Sequence, residues 1–207
     1  MAILRVLFLI LTLLAPFTAP SVAQSFDKQR AAFRNSYTRE NSGDYQGAVN
    51  TLKGVYDQSS YEINLRLGWL SYKSGDFKES EGYYRRAINL RPYGVEPRLG
   101  LIYPLSSMGN WDQVIATYEE ILKIDPNNSI ANYRFGLVAY GREDYLKADQ
   151  LFTKVLNLYP FDYDTLIILA WTRLKLGKSL EAKVLFQKAL LYSPDDPSAL
   201  EGLSLIK

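Results

Sequence analysis

The 207-residue chain contains neither cysteine nor histidine, and those two absences remove much of the familiar catalytic chemistry. Without thiol or imidazole there is no Ser–His or Cys–His nucleophile pair and no zinc site of the usual nitrogen–sulfur type. No disulfide framework can brace the fold, so its stability must come from packing. A lipid anchor on a cysteine behind a leader is excluded as well. Charge of neither sign is in excess: 24 Lys and Arg face 22 Asp and Glu, a formal +2. That balance argues against a strongly basic surface, so no nucleic-acid partner is expected. After the N-terminus, no apolar run is long enough to span a bilayer. What remains is carboxylate chemistry, lysine chemistry or none, and we expect no catalytic residues, no metal and no cofactor.

The N-terminus has what the rest lacks. Arg5 is followed by the apolar run "VLFLILTLLA" and then by "PFTAPSVAQ", with Ser21 and Ala23 at the −3 and −1 positions of a cleavage site. This is the layout of a secretory leader, residues 1–23, removed on export. The rival reading is an uncleaved anchor, but the apolar stretch from Ala2 to Ala15 is 14 residues long, short of the ~20 that a spanning helix needs. The expected location is the periplasm or outside the cell, with membrane contact only through partners or an uncleaved leader.

Beyond the leader the chain is periodic. Pro92, Pro126, Pro160 and Pro194 are each 34 residues apart, and Tyr84, Tyr118, Phe152 and Phe186 keep the same interval. Ala87, Ile121, Val155 and Ala189 lie three residues behind the aromatics. Gly75, Gly109 and Gly177 mark a turn in the same register, with Glu143 standing in once. Each copy resolves into two helices. In "EINLRLGWLSYKS", Ile63, Leu67 and Leu70 share a face, as do Tyr84, Ala87 and Ile88 in "FKESEGYYRRAINL". Gly75-Asp76 breaks the chain between them and caps the second helix, and proline ends it. No stretch alternates at period 2, so no sheet is expected.

These rows resemble the tetratricopeptide repeat, a 34-residue helix–turn–helix unit. The family's Leu-Gly pair falls on Leu67-Gly68, Leu101-Ile102, Phe135-Gly136 and Leu169-Ala170, and its helix-B alanine on Ser80, Val114, Ala148 and Ala182. The resemblance implies an all-α, right-handed solenoid of about five repeats closed by a capping helix. Residues 24–60 read as a degenerate N-terminal repeat or cap, because "SGDYQGAVNTLKGVY" copies the turn and helix B. Full repeats fill 61–94, 95–128, 129–162 and 163–196, and 197–207 is the capping helix. Pro104, inside the first helix of the third repeat, departs from the pattern and predicts a local kink.

By the same resemblance, the first helices line a concave groove through their second, fifth, ninth, twelfth and thirteenth positions. The fifth holds Leu65, Leu99, Tyr133 and Ile167, and the twelfth Tyr72, Ser106, Tyr140 and Leu174. The ninth, polar in most members, holds Trp69, Tyr103, Leu137 and Trp171. Trp69, Tyr103 and Trp171 are therefore expected as an aromatic stripe, since leaving such area wet is unfavourable by ~25 cal/mol per Å² relative to covering it. The alternative is that the rings pack on one another inside the stack. Glu62, Glu96 and Asp164, at the second position, would repel a carboxylate, which argues against the family's basic clamp for a peptide C-terminus. They are also well placed as helix-dipole partners. The expected function is a non-catalytic envelope scaffold that docks a partner segment, with an accessory polysaccharide-binding subunit of an export machine as the alternative.

Overall fold

A computed structural model describes residues 22–206. The expected leader lies outside this range apart from Val22 and Ala23, which open the first helix. The described residues form eleven helices: α1 (Val22–Asn41), α2 (Tyr45–Lys53), α3 (Tyr61–Lys73), α4 (Phe77–Leu90), α5 (Glu96–Ser107), α6 (Trp111–Ile124), α7 (Ser129–Gly141), α8 (Tyr145–Leu158), α9 (Tyr163–Lys175), α10 (Ser179–Tyr192) and α11 (Pro197–Ser204). They pair in sequence, α1 with α2 through α9 with α10, and each pair stacks on the next until α11 covers the last. This is the all-helical solenoid that the period predicts. Among the described residues no helix is long and apolar enough to cross a membrane.

The turn rows act as the sterics require. Gly43, Gly75, Gly109 and Gly177 have φ between 73° and 87°, and Glu143 takes the same left-handed conformation at φ 62°. Aspartate comes directly after three of these turns: Asp44, Asp76 and Asp144 accept the first-turn amides of Gly47, Glu79 and Lys147. The proline rows work at the other end. Arg91, Asp125, Tyr159 and Ser193 each precede a proline, and all four have left the helical region, with φ from −127° to −135° and ψ from 76° to 93°. The proline ring disfavours the helical region for the residue before it, so helix B stops in the same place four times.

The aromatic row is the spine of the core. Tyr84 and Tyr118 are 3% exposed, and Phe152 and Phe186 are sealed. Glycines on the neighbouring helices make room for these rings. A Cβ on Gly100 would lie 2.2 Å from Tyr84 Cε1, and one on Gly202 would lie 2.2 Å from Phe186 Cζ. Gly68 and Gly136 crowd Tyr84 and Phe152 in the same way, from within the same repeat. Each of these three rings thus fills a notch that only glycine leaves, and packing of this density contributes much of the fold's stability. The kink expected at Pro104 does not interrupt α5: the proline is buried and the helix continues through it.

Candidate aromatic groove

The groove candidates divide into groups. Glu62, Leu65, Trp69, Glu96, Leu99 and Tyr103 line one open trough of about 780 Å³, together with Phe33 and Tyr37 from α1 and Tyr84 from α4. Tyr133 and Asp164 line a second, smaller one of about 430 Å³ between α7 and α9. Tyr72, Tyr140 and Trp171 line neither. Arg134 stands between the two: it lines the second trough and donates to the Tyr103 hydroxyl of the first at 3.1 Å.

Trp69 is central to the larger trough. Its indole sits edge-on to Tyr103 at 6.0 Å between ring centres and tilted against Tyr72 at 5.8 Å. Its Nε1 donates to Glu40 at 2.5 Å, and the other oxygen of that carboxylate pairs with Arg66 at 2.5 Å. Arg66 in turn lies 3.8 Å above the Tyr37 ring. Burial opposes the ionisation of Glu40, but the bonds from Trp69 and Arg66 outweigh it and hold the carboxyl below the usual carboxylate range. The terminal helix α1 is therefore latched to the groove through one acid. Sequence reasoning misses Glu40, which belongs to no repeat row; the one pointer to it is an indole N–H that needs an acceptor.

The rings of Trp69 and Tyr103 pack on one another and remain partly exposed. Glu62 and Glu96 stand exposed in the first turns of α3 and α5, where they also face the helix dipole. Tyr61 donates to Glu96 at 3.2 Å. Burial and then the Glu96 charge push the Tyr61 phenol up to about 12, which keeps it a donor. Asp164 occupies the first turn of α9 in the same way.

The continuous stripe expected across the groove does not form. Trp171 turns to the C-terminal end, edge-on to Phe186 at 5.3 Å, and donates to Ser198 of the capping helix at 2.8 Å. Two tyrosines have a different role. Tyr72 packs on Phe77 at 5.8 Å and Tyr140 on Tyr145 at 5.4 Å, each closing its own helix hairpin. In the third repeat Ser106 replaces that tyrosine, and Trp111 is left 46% exposed beside Leu137. Trp111 is a surface residue that the repeat pattern alone does not single out, although the serine at position 106 is a signal that could find it.

An array of stacked helix pairs with a half-wet aromatic trough defines a helical-repeat interaction protein. Residues 33–95 and 163–196 each match a family model described as "Tetratricopeptide repeat", and the chain is a tetratricopeptide-repeat protein, built on an interaction scaffold rather than an enzyme fold. Among curated proteins it resembles "Protein CTR9 homolog" of Arabidopsis thaliana, at 24% identity over 162 residues and 75% of this chain. The chain spans about 15% of that protein's length. Among solved structures, a tetratricopeptide repeat protein from Parabacteroides merdae ATCC 43184 superposes with a TM-score of 0.73 at 20% identity, over 85% of this chain and 71% of that one. YrrB, described as a TPR protein with an unusual peptide-binding site, superposes with a TM-score of 0.67 at 15% identity, over 86% of this chain and 92% of its own.

Proposed function

We propose that this chain is an exported docking module, which holds an apolar or aromatic segment of a partner protein in the trough between α1, α3 and α5. The observation that carries this reading is the trough of about 780 Å³, where Leu65, Trp69, Leu99 and Tyr103 present apolar surface below two exposed acids, Glu62 and Glu96. Apolar area of this kind gains by being covered. Arg66 is already engaged by Glu40 and Tyr37, so the charge offered at the rim is negative. The best-fitting ligand is a segment with an aromatic or aliphatic anchor and a basic flank. YrrB, which shares the fold, is described as having a peptide-binding site, which supports a peptide as the ligand.

A peptide library displayed on phage and selected against the chain tests the reading. The expected outcome is enrichment of aromatic or aliphatic residues beside Lys or Arg. Combining Trp69→Ala with Tyr103→Ala should abolish that enrichment while the helical circular dichroism stays intact. Enrichment that survives the double substitution contradicts the assignment.

The setting is the cell envelope, by the leader-like residues 1–23. N-terminal sequencing of the mature protein is expected to start after Ala23, and a mature chain that keeps Met1 overturns export with cleavage. The rings and rim acids also fit a sugar, as in a subunit of a polysaccharide export machine. Trp69, however, is already packed against Tyr72 and Tyr103, which leaves less open ring face for a sugar to stack on. A tryptophan-fluorescence shift with envelope polysaccharide, in place of peptide enrichment, would reverse that preference.

A further inference from the structure

α10 breaks a rule that its sister helices keep. It buries Ala182, Leu185, Phe186 and Ala189 against the stack, yet its opposite face carries Leu180, Val184 and Leu191, which are 80%, 61% and 77% exposed. The repeat supplies its own control. At the positions equivalent to Leu180, Gln187 and Leu191, α4 has Lys78, Arg85 and Asn89, and α6 has Asp112, Glu119 and Lys123. α8 shares only Leu146 with α10 there. A helix in the outer layer of a solenoid needs one apolar face, and α10 has two. An apolar face left open to water gains by being covered.

We propose that the outer face of α10 is covered by the α10 of a second copy of this chain, packed antiparallel. Leu180, Val184, Gln187 and Leu191 have a 4-3-4 spacing, the seam of a coiled coil. With Leu180 and Gln187 at d and Val184 and Leu191 at a, Glu181 and Lys188 take the e positions and Lys183 a g position. The flanking charges then decide the direction. In an antiparallel pair e faces e, so Glu181 of one copy meets Lys188 of the other, twice by the two-fold symmetry. In a parallel pair g faces e, and Lys183 would oppose Lys188. Glu181 is placed for this: its side chain is 53% exposed, with one contact to Arg173 at 3.4 Å. Among the described residues Lys188 makes no ion pair. Because α10 is the second helix of its pair, this contact leaves the trough on α3 and α5 open.

Sedimentation equilibrium of the mature chain tests the proposal, with twice the mass of one copy as the expected result. Glu181→Lys and Lys188→Glu should each weaken the dimer about tenfold, since each replaces two attractive rim pairs with repulsion. The two together should restore it, because the pairing is merely exchanged. Leu191→Glu should give a monomer with unchanged helical circular dichroism. A chain that stays monomeric at about 100 µM, a dimer that Leu191→Glu leaves intact, or a charge exchange that fails to restore association would each overturn the assignment.

Discussion

Glu143 occupies the left-handed turn that glycine fills in the other repeats, at φ 62°. That conformation costs an L-residue roughly 1–2 kcal/mol, and glycine gives back about 0.5–1 kcal/mol through its freer unfolded chain. Glu143→Gly should therefore stabilise the protein by about 0.5–1 kcal/mol, seen as a higher urea midpoint; a lower midpoint would contradict the assignment of strain. Glu40 makes the opposite case, a charge held in place. Its carboxyl lies below the ordinary range in the fold, so its contribution is complete above the unfolded value and is lost as pH falls through the folded one. From about pH 6 to about pH 3, the native chain should lose more thermal stability than Glu40→Gln does. Equal slopes would show that the latch to Arg66 and Trp69 carries no ionic stabilisation.

At the level of helices, the pattern is legible in the sequence wherever one residue type has a steric monopoly. Proline at the end of helix B and glycine in the hairpin turn act through their own backbone, so their rows can be read without neighbours. The contacts of Gly100 cannot, because the ring that needs it, Tyr84, belongs to the preceding repeat. Gly100→Ala should destabilise the fold by about 1–3 kcal/mol through overpacking. Gly82→Ala, in the middle of α4 with nothing within 4 Å of the added Cβ, should stabilise it by about 0.5–1 kcal/mol. If both changes behaved alike in thermal melts, Gly100 would not be the notch for Tyr84. Pro104 shows the limit of local propensity. Alone it threatens to end the helix, but α5 holds it buried and runs on through it, because packing around a helix can outweigh the preference of one residue within it.

Across the whole molecule, which helix positions face the groove is plainer from the sequence than what those positions do. Trp69 and Trp171 hold the same place in their repeats, yet one indole finds its acceptor on the preceding helix pair, at Glu40, and the other on the next helix along the stack, at Ser198. Periodicity cannot distinguish them, because an indole N–H takes whichever acceptor its end of the stack provides. The trough therefore belongs to the N-terminal half, while Trp171 in the C-terminal half seats the cap. Calorimetric titration of a library-selected peptide into the native chain, Trp69→Ala, Tyr103→Ala and Trp171→Ala separates these two roles. Each of the first two variants should bind at least about tenfold more weakly, the loss expected of buried aromatic anchors, and Trp171→Ala should keep native affinity. Binding that depends on Trp171 and ignores Trp69 would contradict a docking trough between α1, α3 and α5.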